Sequence, residues 1–173
     1  MGADVRIVDD AGRELGAGEA GEILIRSRSN ICGYWRNPEE TAATVDGNWF
    51  HTGDVGYFDE DRYLFVVDRK KDMVVSGGVN IFTKEIEAVI YTHPAVLEAA
   101  VIGLPDDHWG EVVTACVVTK PGQSLCEDDV VELCGATLSS YKKPRRVFFV
   151  DELPKNPSGK ILKRELRTAL AAR

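Results

Sequence analysis

The sequence predicts an α+β protein with a β-rich first part, up to about Val67, and a small second part in which a short β-sheet carries packed helices. Segments of alternating polar and apolar residues, separated by glycine-containing turns, dominate the first part. In the second part, segments rich in β-branched residues and helical segments follow in the order β-α-β-β-α-β-α. A dense run of charges, Asp68 to Asp72, lies between the two parts and is a candidate linker or hinge.

In the first part, four strands and one helix are predicted. They are the strands "DVRIVDD" and "GEILIRS", the helix "NPEETAATV", and two strands within "WFHTGDVGYFDEDRYLFVVD". Asn37 can cap the helix, Pro38 suits its first position, and two glutamates favour the positive end of its dipole. The last two strands are expected to meet at an acidic turn, Asp59 to Asp61.

The second part begins with a short strand and a loop, and ends with a helix. Its predicted elements are the strand "MVVS", the loop "GGVN", the helix "TKEIEAVIYTHP", the strands "VLEAAVIGL" and "EVVTACVVT", the helix "SLCEDDVVELCGATL", the strand "RRVFFVDEL" and the helix "ILKRELRTALAA". Thr83 is expected to cap the first helix, which places Ile86, Val89 and Ile90 on one face. A capping box is expected at Ser124 and Glu127 of the second helix.

Composition excludes several classes of function. The chain has 173 residues, a net charge of −7 and a pI of about 5.0, which argues against a general nucleic-acid binder. The four cysteines lack metal-ligand spacing, so buried free thiols are expected, with neither a disulfide framework nor a metal site. No apolar run is long enough to span a membrane, and the start "MGADVRIVDD" is not typical of a signal peptide. A cytoplasmic location is therefore expected.

Three short stretches are candidates for binding chemistry. Asp54 follows Gly53 at an expected strand end, where a carboxylate can accept hydrogen bonds from two hydroxyls, as on a ribose. The stretch Ser76 to Gly78 leaves backbone N–H groups open to a ligand. Lys160 follows a polar turn that is expected to be flexible, and it offers a point charge to a phosphate or carboxylate.

Each of these stretches also has an ordinary structural interpretation. Taken alone, the aspartate is more commonly a turn residue that satisfies its own backbone, "SGG" a plain turn, and Lys160 a surface lysine. The three histidines have no spacing typical of catalysis, and they are interpreted as structural or surface residues.

Five segments, in order and at compatible spacing, resemble a known family. They are "GEILIRS…GYWRNPEET", "WFHTGDVGYFDED", "DRKKDMVVSGG", "GLPDDHWGE" and "LPKNPSGKILKREL". This pattern resembles the C-terminal stretch of the acyl-adenylate-forming enzymes, which include acyl-CoA synthetases, peptide-synthetase adenylation domains and beetle luciferases. "WFHTGD" and "SGGVNI" resemble the AMP-forming branch that ligates fatty and aryl acids to CoA. The resemblance covers nearly the whole chain.

The resemblance implies roles for single residues. Asp54 matches the aspartate that binds both ribose hydroxyls of the nucleotide, and Arg69 matches an arginine that also contacts the nucleotide. Lys71 matches the hinge about which a small C-terminal domain pivots. Ser76, Gly77 and Gly78 match a loop that lines the pantetheine tunnel after that pivot. Lys160 matches the lysine that reaches the acyl carboxylate and the ATP phosphates during adenylation.

The resemblance also implies a domain organisation and a reaction. Residues 1–67 would be the last β-rich subdomain of a large N-terminal domain, 68–72 the hinge, and 73–173 the mobile C-terminal domain. The parent would be a cytoplasmic ligase of fatty-acid metabolism that uses ATP and Mg²⁺ to adenylate a carboxylic acid, with a fatty acid as the expected substrate, and then transfers the acyl group to CoA. ATP and Mg²⁺ would be bound mainly by the large domain, so the chain alone is expected to be inactive.

Small departures from the family pattern leave the acyl chain length open. Val79 stands where relatives often carry Glu, and Phe82-Thr83 stands where Tyr-Pro is common. Two other functions remain open: an adenylating enzyme that loads a carrier protein, and a non-catalytic binding module. A complete small enzyme is disfavoured, because no nucleophile–base pair is evident.

Overall fold

The computed structural model describes residues 2–171 and divides into two compact units, Met1–Lys71 and Asp72–Arg173. Each unit has its own mixed secondary structure, which confirms the predicted α+β class. The hinge assigned to residues 68–72 stays a prediction.

The first unit is built on a five-stranded antiparallel sheet. Its elements are β1 (Asp4–Val8), β2 (Gly21–Arg26), α1 (Pro38–Thr44), β3 (Val45–Asp46), β4 (Trp49–Phe58) and β5 (Leu64–Arg69). Strand β2 pairs with β1 and β4, and β4 also pairs with β3 and β5. The buried apolar side chains come from β1, β2 and β4; they are Ile7, Val8, Ile23, Leu24 and Val55.

Helix α1 begins as predicted. The Asn37 side chain accepts a hydrogen bond from the Glu40 N–H at 3.1 Å, and Pro38 occupies the first turn, where no amide proton is needed.

The second unit contains a five-stranded mixed sheet with helices on it. After a short 3₁₀ turn at Lys70–Asp72, its elements are β6 (Val74–Ser76), β7 (Val79–Ile81), α2 (Thr83–Ile90), β8 (Val96–Asp106), β9 (Gly110–Thr119), α3 (Glu127–Thr137), a 3₁₀ turn at Ser140–Lys142, β10 (Arg146–Phe149) and α4 (Lys163–Leu170). Strand β9 pairs antiparallel with β8 and β6 and parallel with β10.

Both faces of this sheet are covered. One cluster of buried side chains joins alternate residues of β8 and β9 to Ile86 and Ile90 of α2 and to Val130 and Cys134 of α3. The other joins the intervening residues of the same strands to Leu166 and Leu170 of α4. Val89 packs against the first cluster, so the predicted apolar face of α2 is confirmed.

Three local predictions are wrong. Helix α2 begins at Thr83 itself, after Phe82, and no side chain caps it. Helix α3 begins after Cys126, whose N–H is bound by the Asp129 carboxylate, so the capping box lies two residues beyond Ser124. The expected loop "GGVN" contains a β-turn that leads into strand β7, because Val79–Ile81 pairs with β6.

The cysteines are free, but only two of the four are buried, which corrects the expectation for Cys32 and Cys126. Burial raises the pKa of the Cys116 thiol to about 11, and that of Cys134 also to about 11, because the thiolate would lose its hydration.

We expect Cys32 and Cys126 to react quickly at pH 8 with an aromatic disulfide reagent that releases a coloured thiolate. Cys116 and Cys134 should react only after unfolding. The thiolate is the reactive form, and at Cys116 and Cys134 it is both scarce and enclosed. Thiol counting before and after addition of guanidinium measures this directly. Fast reaction of all four thiols in the folded chain would contradict the described packing.

Candidate functional site

Asp54 and Arg69 are brought together on neighbouring strands of the first unit. They stand directly opposite each other on β4 and β5, and Arg69 Nε lies 3.2 Å from Asp54 Oδ1. Both side chains are partly exposed, at 35% for Asp54 and 41% for Arg69. Among residues 2–171, Asp54 Oδ2 has no hydrogen-bond partner, so this carboxylate can still accept hydrogen bonds from a ligand.

Asp54 was expected at a strand end, but it lies inside β4. The strand continues through an irregularity in its pairing with β2, a bend in which Gly53 adopts φ +69°, a left-handed conformation that glycine reaches without steric cost. Thr52 supports this bend, since its Oγ1 donates to the Ile23 carbonyl at 2.7 Å and accepts from the Asp54 N–H at 3.1 Å. The bend therefore holds the carboxylate in a fixed position on the sheet.

A cavity of about 420 Å³ lies beside Arg69 within the first unit. Thr52, Gly53, Arg69 and Lys71 contribute to its wall. Its volume is within the range of small-molecule sites, about 300–1,000 Å³. Lys71 is exposed and is the last residue of this unit.

The third cation of the cavity, Lys70, is already paired. Its ammonium lies 2.9 Å from Asp10 Oδ1 and 3.1 Å from Glu22 Oε2. These two carboxylates raise the pKa of Lys70, and the hydrogen bond to Asp10 has the larger effect. Arg69 is paired with Asp54 alone, and the Lys71 ammonium has no ion pair among the described residues, so Lys71 is the cation of this cavity best placed to meet an anionic ligand. A wider cavity of about 590 Å³ near Arg28 and Trp49 contains none of the predicted site residues.

Ser76, Gly77 and Gly78 form the turn between β6 and β7 in the second unit. Gly77 and Gly78 have φ of +57° and +79°, which is the two-residue turn that suits a tight hairpin. The backbone of this turn is less open than expected, because the Gly77 N–H donates to the Trp109 carbonyl at 2.9 Å.

Trp109 is a neighbour of this turn that the sequence did not single out, and Arg145 packs on Trp109. The Arg145 guanidinium carbon lies 4.4 Å from the centre of the Trp109 ring, a cation–π arrangement. Asp106 accepts hydrogen bonds from the N–H groups of His108 and Trp109, both at 3.0 Å, and this fixes the turn that carries the indole. The motif "GLPDDHWGE" could have pointed to Trp109, but nothing in the sequence pairs it with Arg145.

Lys160 lies on a turn of the second unit just before α4. Its side chain is exposed and has no hydrogen bond or ion pair among the described residues. The turn itself is well braced, contrary to the expected flexibility. The Asn156 N–H donates to the Lys160 carbonyl at 2.9 Å, and Asn156 Oδ1 accepts from the Lys160 N–H at 2.8 Å. Gly159 adopts φ +82° and closes the turn.

Helix α4 holds this turn to the rest of the second unit. Lys163 Nζ lies 2.7 Å from Glu87 Oε1 and donates to Thr83 Oγ1 at 2.7 Å, so the start of α4 is tied to α2. One turn later, Arg167 donates to the Asp72 carbonyl at 3.3 Å. The position of Lys160 thus depends on contacts made by the first five residues of α4.

The described part of the chain has no group of three or more His, Cys, Asp or Glu side chains that could hold a metal ion. Separately, none of the helices within residues 2–171 is long and apolar enough to cross a membrane.

Comparisons with known proteins agree on one family. Residues 85–160 match the family model of the AMP-binding enzyme C-terminal domain. The chain is 46% identical over 166 residues to the fatty acid–[acyl-carrier-protein] ligase ScoC of Streptomyces coeruleorubidus, covering 96% of this chain and 32% of that protein. It is 45% identical over 165 residues to the 2-succinylbenzoate–CoA ligase of Geobacillus kaustophilus, covering 95% of this chain and 34% of that protein.

The fold is also similar to that of a solved structure. ATP-bound MatB from Rhodopseudomonas palustris superposes with a TM-score of 0.91 at 40% identity, over 99% of this chain and 34% of that one. The chain therefore corresponds to the C-terminal part of the adenylate-forming enzymes. It spans about a third of the length of the curated relatives it matches.

We expect Gly77→Ala to destabilise the second unit more than Gly78→Ala. Either alanine would have a left-handed backbone, which costs roughly 1–2 kcal/mol. A Cβ on Gly77 would also lie 2.9 Å from Trp109 Cε3, whereas one on Gly78 would meet no atom within 4 Å. The forced shift of the indole adds about 1 kcal/mol or more.

Urea denaturation followed by circular dichroism measures this difference in the free energy of unfolding. Equal losses for the two variants would mean that Trp109 does not pack on Gly77 in solution.

Proposed function

We propose that the chain is the C-terminal portion of an ATP-dependent, AMP-forming acid–thiol ligase that makes an acyl-CoA, with a fatty acid as substrate. The observation that carries the proposal is the exposed ammonium of Lys160, which stands on a braced turn and has no partner within residues 2–171. The chain also matches the C-terminal part of this enzyme class. The named relatives act on a fatty acid and on 2-succinylbenzoate, so a carboxylic acid is the common substrate class.

The proposed first step is attack of the acid's carboxylate on the α-phosphate of ATP. A bond forms between a carboxylate oxygen and the α-phosphorus, the bond to the pyrophosphate oxygen breaks, and acyl-adenylate and pyrophosphate result. Two anions approach each other in this step, and a lysine ammonium between them lowers their repulsion when water is excluded. Lys160 is the group that we assign to this role.

Asp54 and Arg69 are proposed to hold the nucleotide. The free carboxylate oxygen of Asp54 can accept hydrogen bonds from the ribose hydroxyls, while Arg69 keeps the carboxylate oriented through its 3.2 Å contact and also meets the nucleotide. The cavity beside them has Lys71 on its wall, which supports an anionic ligand there.

The proposed second step is transfer of the acyl group to a thiol. The thiol sulfur forms a bond to the acyl carbon, its proton is released, and AMP leaves. Ser76, Gly77 and Gly78 are proposed to line the path of the pantetheine arm, because the glycines have no side chains to obstruct it. Lys71 is proposed as the hinge that lets the C-terminal domain deliver Lys160 for the first step and withdraw it for the second.

We expect Lys160→Ala, in the complete ligase that carries this chain, to slow acyl-adenylate formation by about 10²–10³-fold, the loss typical for one charge-stabilising group. Thioester formation from supplied acyl-adenylate should be unchanged, because that step needs no cation between two anions. Pyrophosphate release and thioester yield are measured separately.

Lys155→Ala is the matched control for this test. Lys155 belongs to the same turn region, but its ammonium is already paired with Glu98, so its removal should leave both steps near the wild-type rates. Equal loss of both steps in Lys160→Ala would contradict the proposed role.

Transfer to a carrier protein is the second candidate, since one relative is named as an acyl-carrier-protein ligase. Both acceptors present the same pantetheine thiol, so a competition experiment is needed. With limiting acyl-adenylate and equal concentrations of CoA and a phosphopantetheinylated carrier protein, we expect acyl-CoA to form at least about tenfold faster. A preference for the carrier protein would overturn the proposal of CoA as the acceptor.

A further inference from the structure

Asn156 organises the turn that carries Lys160. Its Oδ1 accepts hydrogen bonds from the Lys160 N–H at 2.8 Å, from the Ser158 N–H at 3.1 Å and from Ser158 Oγ at 2.8 Å. Its backbone N–H donates to the Lys160 carbonyl at 2.9 Å, and its own carbonyl accepts from the Gly159 N–H at 2.9 Å. Asn156 therefore contacts every residue of the turn that can donate a backbone hydrogen bond.

Both backbone polar groups of Lys160 are bound to this one residue. The N–H meets the Asn156 side chain and the carbonyl meets the Asn156 backbone, so the peptide planes on both sides of Lys160 are held. These planes set the direction in which the Lys160 side chain leaves the turn. The ammonium has no partner within residues 2–171, so the held backbone, which sets the direction of the Cα–Cβ bond, limits the region that this flexible side chain can reach.

The base of the turn is held independently of Asn156. The Leu162 N–H donates to the Pro154 carbonyl at 2.8 Å, Lys155 and Ile161 form an isolated antiparallel bridge, and Lys163 ties the start of α4 to Glu87. Loss of the Asn156 side chain should therefore loosen the tip of the turn and leave the fold of the second unit intact.

We propose that Asn156 is a positioning residue for Lys160: its side-chain oxygen fixes the turn backbone from which the Lys160 side chain extends, and thereby the region that the ammonium reaches. This inference deepens the proposed function and rests on it, because the reach of the ammonium matters only if Lys160 must contact a reacting carboxylate and phosphate. A charge misplaced by about 1 Å loses a large part of its effect on a reaction, up to roughly 10²-fold.

Two substitutions separate the hydrogen-bond acceptor from the volume of the side chain. Asn156→Leu keeps a similar size and shape but has no acceptor. Asn156→Asp keeps an oxygen at the position of Oδ1. It replaces only the amide nitrogen, which has no hydrogen-bond partner among the described residues, so no existing bond is lost. Ser158→Ala removes only one of the donors and serves as the control.

The first measurement is amide hydrogen exchange of Lys160 in the chain itself, followed by NMR. We expect exchange about tenfold faster in Asn156→Leu, since the acceptor of this N–H is lost, and near the wild-type rate in Asn156→Asp and Ser158→Ala. Equal exchange in wild type and Asn156→Leu would overturn the positioning role. Circular dichroism unchanged between the variants shows that the fold is retained.

The second measurement is acyl-adenylate formation in the complete ligase. We expect kcat to fall about tenfold in Asn156→Leu with little change in the KM for ATP, and to recover in Asn156→Asp. In a Lys160→Ala background, Asn156→Leu should cause no further loss, because the residue that it positions is gone. A further tenfold loss in that background would overturn the inference.

The two measurements also distinguish this inference from the proposed function. If Lys160→Ala left adenylation unchanged, the proposed function would be wrong, and the catalytic part of the inference with it. The exchange rate of the Lys160 N–H would still decide whether Asn156 holds the turn.

Discussion

The pairing of β8 with β9 is the constraint on which the second unit depends. The two strands pair from Val96 to Asp106 and from Gly110 to Thr119. Neighbouring residues such as Val101 and Ile102 point to opposite faces, yet both are fully buried. A hairpin that is apolar on both faces must be covered on both, so α2 and α3 pack on one face and α4 on the other. The location of the Lys160 turn follows from this requirement, because the turn immediately precedes α4.

Among the described strands, β8 pairs only with β9, so the backbone N–H groups on its other edge need hydrogen-bond acceptors from elsewhere. The Val101 N–H donates to Glu87 Oε1 at 2.8 Å, and the same carboxylate is paired with Lys163. These two charged side chains are only 16% and 13% exposed. Removing one member of such an enclosed pair typically costs about 3–5 kcal/mol, because the other charge is left without compensation. The pair thus covers a strand edge and also anchors α4 three residues after Lys160, which links the stability of the unit to the placement of its proposed catalytic group.

Much of the fold could be predicted from periodicity. The apolar face of α2, the long strands β8 and β9, and the Asn37 cap of α1 are all local patterns, and the structure confirms them. Strand β7 was missed because three residues are too few to show a period. The cap of α3 was placed wrongly because a thiol, Cys126, stands where serine is the usual residue.

The candidate site could be predicted only in part. Family motifs pointed to Asp54, Arg69 and Lys160, but their local geometry depends on contacts that no motif records. The conformation of Gly53 and the pairing of β4 with β5 place Asp54 inside a strand. The packing of Trp109 on Gly77 joins residues more than thirty positions apart. The inward direction of the Asn156 side chain likewise follows from the closed turn, and the letters "NPSG" alone do not determine it.

The most direct test of the central claim, that this chain supplies one charged part of a larger adenylation site, is AMP release from ATP. The assay contains Mg²⁺, CoA and a panel of fatty and aryl acids. It compares this chain alone with a chimera in which the chain replaces the matching stretch of Rhodopseudomonas palustris MatB. We expect no turnover by the chain alone and acid-dependent AMP release by the chimera that is lost in Lys160→Ala. AMP release by the chain alone would contradict the account, because it would place a complete active site within these residues.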